Sequence, residues 1–358
     1  MSCQAFSNDF KNQLMSTNKV LNFAIVGTGA VAIHHVKSIN ELPNAQLVAV
    51  CSSSPERAKL AQDKFKVAAY SSIEEMLERP DIDVVSICTA SGNHLEPTLL
   101  AAQKGKHVIT EKPLEVSLER ADQMLTACQQ AGVKLACIFQ NRFNPDFLKV
   151  QKAIADGVLG KLTLGNAYIK WFRSKEYYSS SPWKGTLAGD GGAALINQGI
   201  HTIDLLLSIF GQVETVYGKV RTIKHPIEGE DLGVALLQFE NGALGTIEGS
   251  TAIYPGFPER LEIYGQKGSI ILEGGKIKHW HIEGEVALDE VKEEGPASGA
   301  SDPNAIGHQA HKTQIADMIE AIQTDREPAV NGVEARKSLA VIKGIYASSA
   351  SGNAIILN

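Results

Sequence analysis

The chain contains 358 residues, of which 44% are hydrophobic and 21% are charged, and its formal net charge is −6. This length predicts two domains with sizeable cores, and an acidic balance without a basic cluster excludes nucleic acid and anionic membranes as expected partners. No apolar stretch approaches the roughly 18–20 residues of a membrane span, and five cysteines without C-x-x-C spacing favour a reducing, cytoplasmic location.

Residues 1–20 lack the apolar run of a signal peptide and are expected to form a flexible extension. Beyond them, short apolar runs alternate with helical patterns. The predicted strands are 21–26, 46–51, 83–88, 107–110 and 134–139, and the predicted helices run from the first strand to residue 40 and then cover 55–65, 72–78, 93–104 and 117–131. This alternation predicts a Rossmann domain, an α/β fold with a doubly wound parallel sheet, over residues 21–142.

Residues 143–358 follow a different pattern. Runs rich in β-branched and aromatic residues predict strands at 162–172, 213–222, 231–239, 243–250, 259–264, 269–272 and 276–282. Asn241-Gly242 is a two-residue hairpin signal between two of them. Helices are expected at 143–157, 194–210, 307–324 and 333–351, and a surface loop at 284–304. The pattern predicts an α+β domain with a large, mostly antiparallel sheet; the resemblance described below implies that this sheet is open and that the domain serves substrate binding and oligomerisation.

The turn after the first predicted strand has the pattern Gly27-x-Gly29-x-x-Ala32 and opens a helix. In that context the two glycines allow a tight turn and close approach of the backbone to a pyrophosphate, which predicts a dinucleotide cofactor. The second strand ends in serines instead of the acidic residue that binds the ribose of NAD. Arg57 follows them either as a ligand of a 2′-phosphate or as a solvated helix charge, so both NAD and NADP remain open.

Two segments carry residue types suited to proton transfer. Lys112 follows the strand 107–110 in Glu111-Lys112-Pro113, at the carboxyl edge where parallel sheets bind ligands. On the helix 194–210, Asn197 and His201 are spaced i, i+4 and share one stripe. The alternative is a polar groove around a hydrogen-bonded core histidine. A flexible Asp190-Gly191-Gly192 bend precedes this helix and is able to bring it close to a ligand.

These segments, with Asn141-Arg142-Phe143-Asn144-Pro145 and Gly191–Asp204, resemble the Gfo/Idh/MocA oxidoreductase family over nearly the whole chain. The resemblance implies catalytic roles for Lys112 and His201 beside the nicotinamide and the reacting sugar carbon, with Asn197 where many members have Asp. It also implies a homodimer or homotetramer formed through the open sheet. The implied cofactor-binding residues are Gly27, Thr28, Gly29, Ala30, Val31, Ser52, Ser53, Arg57, Thr89, Asn93, His94, Glu111, Lys112 and Gln140.

Within the family, Lys170-Trp171-Phe172-Arg173, Tyr177-Tyr178, Trp183-Lys184-Gly185-Thr186 and Asn197-Gln198 are similar to the branch that oxidises UDP-N-acetylglucosaminuronate at the sugar 3-position. Arginine pairs with carboxylate or phosphate, and aromatic faces pack on sugar rings. The alternative is a strand and loop whose aromatic residues only fill the core. The implied substrate-binding residues are Lys112, Arg142, Trp171, Arg173, Tyr178, Trp183, Asn197, Gln198 and His201.

The expected reaction transfers a hydride between a sugar or nucleotide-sugar carbinol and the nicotinamide. His201 is expected to be the base, because an ordinary imidazole titrates near neutral pH, and Lys112 to orient the hydroxyl. A redox-assisted glycosidase and a non-catalytic dinucleotide sensor are alternatives. His34-His35, His279-x-His281 and His308-x-x-His311 lack the further nearby ligands that zinc needs, so no metal is expected.

Overall fold

The computed structural model describes residues 19–284, 288–289 and 307–357. The extension expected over residues 1–20 and the loop expected over residues 284–304 therefore lie mostly outside the described residues. Among the described residues, no helix combines the length and apolar character that crossing a membrane requires. Cys51, Cys88, Cys128 and Cys137 are free and buried.

The N-terminal part contains the predicted doubly wound parallel sheet. Its six strands lie in the order β3-β2-β1-β4-β5-β6, and all five neighbouring pairs are parallel. The strands are β1 Leu21–Val26, β2 Ala45–Cys51, β3 Ala68–Tyr70, β4 Val84–Ile87, β5 His107–Thr110 and β6 Leu135–Cys137. The helices are α1 Ala32–Asn40, α2 Pro55–Phe65, α3 Ile73–Leu77, α4 Leu95–Gln103 and α5 Leu118–Ala131. Strand β3 was not predicted, because three residues carry too little periodicity to be seen.

This strand order positions the ligand crevice. The chain reverses its direction of winding between β1 and β4, and in open parallel sheets ligands bind at that switch point, outside the carboxyl ends of the strands. Strand β4 is buried along its whole length, as its largely apolar sequence predicts for a strand covered on both faces. The Gly-x-Gly turn after β1 and the Glu111-Lys112-Pro113 turn after β5 therefore lie at the same edge.

The C-terminal part contains the predicted open sheet, with nine described strands in the order β14-β13-β12-β11-β7-β10-β9-β8-β15. All of its pairs are antiparallel except β7 with β10. The strands are β7 Leu162–Lys170, β8 Val213–Arg221, β9 Leu232–Phe239, β10 Leu244–Ser250, β11 Arg260–Gly265, β12 Gly268–Glu273, β13 Lys276–Ile282, β14 Leu288–Asp289 and β15 Ile355–Ile356. The helices are α6 Pro145–Ala155, α7 Lys175–Ser179, α8 Ile200–Phe210, α9 Gln309–Gln323 and α10 Gly332–Ser351.

Helix α9 returns to the N-terminal sheet, a placement that its position in the sequence does not indicate. Ile315, Met318 and Ile319 are fully buried in one apolar cluster with Phe23 and Ile25 of β1. Burial of these five side chains explains why α9 packs against α1 rather than on the C-terminal sheet. The packing brings the N-terminal end of α9 to the back of the dinucleotide crevice.

The segment predicted as one α-helix over 194–210 begins as a π-helix, Ala194–Gly199, and continues as α8. The Glu230 carboxylate accepts the backbone N–H of Ala193 at 3.1 Å and of Leu195 at 2.7 Å, and thereby caps the wider first turn. A side chain at Gly192 would meet the Tyr346 hydroxyl 2.3 Å from its Cβ, so this bend requires glycine. A π-turn re-aims the side chains and carbonyl groups of its segment.

Candidate active site

A cavity of about 1140 Å³ runs along the carboxyl edge of the parallel sheet. Its wall includes the turn after β1, the end of β2, the segments after β4 and β5, and the loop before the π-helix. The sequence-predicted residues that line it are Gly27, Thr28, Gly29, Ala30, Val31, Ser52, Ser53, Arg57, Thr89, Asn93, Glu111, Lys112, Trp183 and Asn197. The predicted phosphate turn and the predicted catalytic lysine thus open into one cavity.

The turn after β1 has the shape that a dinucleotide requires. Gly27 has a φ of 91°, and a Cβ there would lie 2.7 Å from the backbone of Cys88. A Cβ on Gly29 would meet no atom within 4 Å, so the backbone at this position faces open space. Helix α1 begins without a side-chain cap, which leaves its first N–H groups for an anion. These features fit a pyrophosphate at the helix N-terminus.

The ribose end of the cavity is lined by hydroxyls and cations, and the Glu74 side chain also lines the cavity. The Ser52 and Thr28 hydroxyl oxygens lie 2.6 Å apart, and Arg57 Nη1 donates to Ser53 Oγ at 3.2 Å. Lys64 lines the same end. Because β2 is followed by serines, no carboxylate follows this strand to repel a phosphate group on the ribose.

Lys112 reaches from the N-terminal domain to the π-helix. Its Nζ atom donates a hydrogen bond to the backbone carbonyl of Asn197 at 2.7 Å. Burial lowers the pKa of Lys112, and the negative charges of Glu111 and Asp190 oppose that shift. The amine is therefore held in place by the re-aimed backbone of the π-helix, with a pKa below that of an exposed lysine.

Asp190 is a site residue that the sequence-based prediction missed. The Asn197 Nδ2 atom donates to Asp190 Oδ1, and the backbone N–H of Gly185 donates to Oδ2 at 2.9 Å. Asp190 is almost completely buried, and burial raises the pKa of its carboxyl. The only sequence signal was the Asp190-Gly191-Gly192 bend. Asp190 thus supplies a buried carboxylate bonded to Asn197, the position where the resemblance implied an Asp in many family members.

His201 lies one helical turn beyond Asn197, with its ring edge-on to Phe139 at a centroid distance of 5.8 Å. Burial and the charge of Lys112 lower the pKa of His201 to about 3. Its Nδ1 atom is buried and has no hydrogen-bond partner within the described part of the chain, so nothing stabilises a second proton on the ring. His201 is therefore neutral at physiological pH, and the nearby positive charge of Lys112 contributes to its low pKa.

Beside Asn197, a buried arginine organises a polar and aromatic cluster. Arg173 donates from Nε and Nη2 to the Gln198 side-chain oxygen at 3.0 and 2.7 Å. Its guanidinium carbon lies 4.9 Å from the ring centroid of Trp171 and 5.4 Å from that of Tyr177. Gln198 in turn donates to the Tyr177 hydroxyl at 2.8 Å. Tyr177 lines the cavity, although the sequence analysis chose its neighbour Tyr178.

Family models match both parts of the chain: "Oxidoreductase family, NAD-binding Rossmann fold" over residues 21–139, and "GFO/IDH/MocA C-terminal domain" over residues 147–271. The chain belongs to the Gfo/Idh/MocA oxidoreductase family. Its structure is similar to that of the WlbA dehydrogenase from Bordetella pertussis in complex with NADH and UDP-GlcNAcA. That similarity has a TM-score of 0.84 and 31% identity, and covers 95% of this chain and 99% of that one.

Curated relatives of this Gfo/Idh/MocA protein include named inositol dehydrogenases. The scyllo-inositol 2-dehydrogenase (NAD(+)) of Bacillus subtilis is 27% identical over 92% of this chain and 94% of its own. The myo-inositol 2-dehydrogenase of Thermotoga maritima is 28% identical over 71% of this chain and 75% of its own. The protein is an NAD-dependent oxidoreductase acting on sugars or polyols, and its glycine turn and uncapped helix fit that cofactor.

Other side chains that the resemblance implied as ligands of this Gfo/Idh/MocA protein lie off the cavity wall. They are His94, Gln140, Arg142, Trp171, Arg173, Tyr178, Gln198 and His201. Arg142 is the clearest correction. Its Nε and Nη2 atoms donate to the two oxygens of Asp204, each at 2.7 Å, and its Nη1 atom lies 3.4 Å from Glu334. The guanidinium is engaged in a buried ion pair, which opposes the substrate-binding role that the resemblance implied.

Tyr178, Trp171, His94 and Gln140 are buried for structural reasons. The Tyr178 hydroxyl bonds Thr251 Oγ1 at 2.7 Å, and burial raises the pKa of this tyrosine. His94 is fully buried, and its Nδ1 atom lies 2.9 Å from the Pro113 carbonyl oxygen behind the lysine turn. Trp171 and Gln140 are also buried away from the cavity. For the aromatic residues, core filling was the alternative left open by the sequence.

Proposed function

We propose that the protein oxidises the 3-hydroxyl of UDP-N-acetylglucosaminuronate and passes the hydride to NAD. The observation that carries this proposal is that the Lys112 amine, bonded to the π-helix, and the phosphate turn line the same cavity. The similarity to a dehydrogenase crystallised with NADH and UDP-GlcNAcA supports the same substrate class.

The wall beyond Lys112 suits an acidic nucleotide sugar. Lys184 and the aromatic rings of Tyr177 and Trp183 line the cavity there, and the Lys184 Nζ atom lies 4.1 Å from the Tyr177 ring centroid. Such a surface offers a positive charge for carboxylate or diphosphate oxygens and flat apolar faces for a sugar ring. Arg173 acts indirectly in this proposal, by orienting Gln198 and Tyr177.

Oxidation of a carbinol removes a hydride from carbon and a proton from oxygen. Bound NAD supplies the hydride acceptor. The proton goes to Lys112 Nζ in its neutral amine form, since burial lowers the pKa of this lysine towards the working pH. The Asn197 carbonyl holds the amine, and the charge of Asp190 stabilises the ammonium that forms.

His201 lies off the cavity wall, and in this proposal it is a neutral neighbour of Lys112 rather than the base. A pKa of about 3 makes it a poor proton acceptor, so the role of base that the sequence suggested for His201 is assigned to Lys112. The uncharged ring places no positive charge beside Lys112 near neutral pH.

The test mixes purified protein with NAD and UDP-N-acetylglucosaminuronate and follows the absorbance of reduced nicotinamide. Lys112→Met should lower kcat at least about 10³-fold by removing the base, and leave the Kd for NADH within about twofold. Lys104→Met is the matched control, because Lys104 is exposed and pairs only with Glu78 among the described residues. Substrate cleavage without net NADH would favour the glycosidase, and full activity of Lys112→Met would refute the mechanism.

We also infer that the C-terminal sheet joins copies of the chain in a homodimer or homotetramer. Strand register places Leu244 opposite Gln238, and Leu236 opposite both Thr246 and Tyr217, so these side chains share one face. Large apolar residues remain exposed on that face: Leu164, Tyr217, Val234, Leu236 and Leu244. A face of this kind on an open sheet is typical of a subunit interface.

A further inference from the structure

Behind Lys112, three buried side chains from distant parts of the chain converge. His35 belongs to α1, Glu111 follows β5, and His311 belongs to α9. Their nearest nitrogen and oxygen atoms lie within 4.8 Å of one another. His35 Nε2 is 2.9 Å and His311 Nε2 is 3.6 Å from the same Glu111 oxygen. In the sequence these histidines belong to two separate short motifs without further nearby ligands, and 276 positions separate His35 from His311.

The cluster is anchored at its far end as well. Ser86 of β4 lies with its hydroxyl oxygen 2.7 Å from His35 Nδ1, so the imidazole is held from both sides. The ring of His35 meets that of His311 edge-on at 5.6 Å. Helix α9 therefore contributes a side chain to the back of the lysine turn, as well as apolar packing against α1.

Glu111 connects this cluster to Lys112. Its second carboxylate oxygen accepts the backbone N–H of Lys112 at 3.2 Å, while its own backbone N–H donates to Ile87 of β4 at 2.9 Å. A buried carboxylate is costly unless hydrogen bonds compensate its charge. Burial opposes ionisation of Glu111, but the nearby His311 imidazole and the hydrogen bond to His35 hold its pKa well below the ordinary value.

We propose that His35 and His311 are positioning residues that act through Glu111, holding the backbone of Lys112 so that its amine meets the Asn197 carbonyl. The inference rests on the proposed role of Lys112 as the base. Neither histidine lines the cavity, so neither contacts substrate or cofactor. Loss of a histidine removes a polar partner of the Glu111 carboxylate. The carboxylate then rotates, and this rotation displaces the turn that carries Lys112.

The experiment compares His35→Leu and His311→Leu with His35→Gln and His311→Gln, since glutamine keeps an N–H donor. The Leu variants should lower kcat at least about tenfold, with KM for UDP-N-acetylglucosaminuronate and Kd for NADH within about twofold, and the Gln variants should recover most of the loss. The deuterium isotope effect on kcat should rise in the Leu variants, because hydride transfer becomes rate-limiting. His34→Gln is the control, since His34 stacks on the His311 ring at 5.4 Å and makes no hydrogen bond to Glu111 within the described part of the chain.

Parallel loss of cofactor affinity, substrate affinity and kcat would indicate a merely structural cluster and overturn the proposal. So would stoichiometric zinc in the purified protein that disappears in His311→Leu, because the three groups would then be metal ligands. If Lys112→Met remains active, the proposed function fails. If Lys112→Met is inactive and the Leu variants keep wild-type kcat, only the positioning role fails.

Discussion

The ion pair between Arg142 and Asp204 gives a direct test of the corrected role of Arg142. Both side chains are buried: the exposed fraction is 10% for the Arg142 side chain and 1% for that of Asp204. Among the described residues, replacing Arg142 with Met leaves the Asp204 carboxylate with the Ser338 hydroxyl, at 3.2 Å, as its remaining hydrogen-bond donor. Because removing one partner strands a buried charge, the free energy of unfolding should fall by about 3–5 kcal/mol.

The assay is urea unfolding followed by circular dichroism, combined with steady-state kinetics. The double variant Arg142→Met with Asp204→Asn should regain much of the stability, since the stranded charge is gone. Lys149→Met is the control, because the Lys149–Asp146 pair is largely exposed on its lysine side and should change stability by less than about 1 kcal/mol. An Arg142→Met variant of normal stability with a KM raised more than about tenfold would show that Arg142 binds substrate after all.

The loss in Arg142→Met should also depend on pH. Burial raises the pKa of Asp204 even in the native protein, and the Arg142 charge opposes that shift. Without the guanidinium the folded-state pKa rises further above the unfolded value. A raised carboxyl pKa costs stability above that pKa, so the deficit should be complete at higher pH and shrink as the pH falls through it.

A free lysine titrates near pH ~10.4, and the pH profile of kcat should have its inflection below that value, with activity rising as Lys112 loses its proton. Asp190→Asn should move this inflection to lower pH, because the Asp190 charge raises the pKa of Lys112. An unshifted profile would exclude Lys112 as the titrating group. In fluorescence titrations the Kd for NADPH should lie within about tenfold of the Kd for NADH. Ser52→Asp should raise only the Kd for NADPH, by at least about tenfold, because the new carboxylate repels the 2′-phosphate. An equal rise for both cofactors would contradict a ribose end that tolerates a phosphate. In light scattering, Leu236→Glu should yield monomers, whereas the control Leu148→Glu on α6 should not; oligomers in both would place the interface elsewhere.

Much of the site was visible in the sequence because its signals are local. The Gly27-x-Gly29 turn depends on residues adjacent in the chain, and Lys112 follows a recognisable buried strand. Both line the cavity in the structure. Residues assigned by resemblance fared differently when their environment depended on distant partners. Arg142 is hydrogen-bonded to Asp204 and Tyr178 to Thr251, and no local sequence pattern around either residue predicts those contacts.

By itself, the sequence determined the order of strands and helices, the parallel and antiparallel character of the two sheets, and the end of the first sheet that binds the cofactor. Alternating apolar periodicity and glycine turns are sufficient for these features. Only the tertiary structure decided that the first turn of the predicted helix is a π-helix, that Asp190 bonds Asn197, and that His311 reaches Glu111. The π-turn is capped by Glu230 and Glu111 is met by His311, which are far away in the chain, so these contacts exist only after the helices pack on the sheets. Asp190 and Asn197 are seven residues apart, but their side chains meet only across the folded Gly191-Gly192 bend.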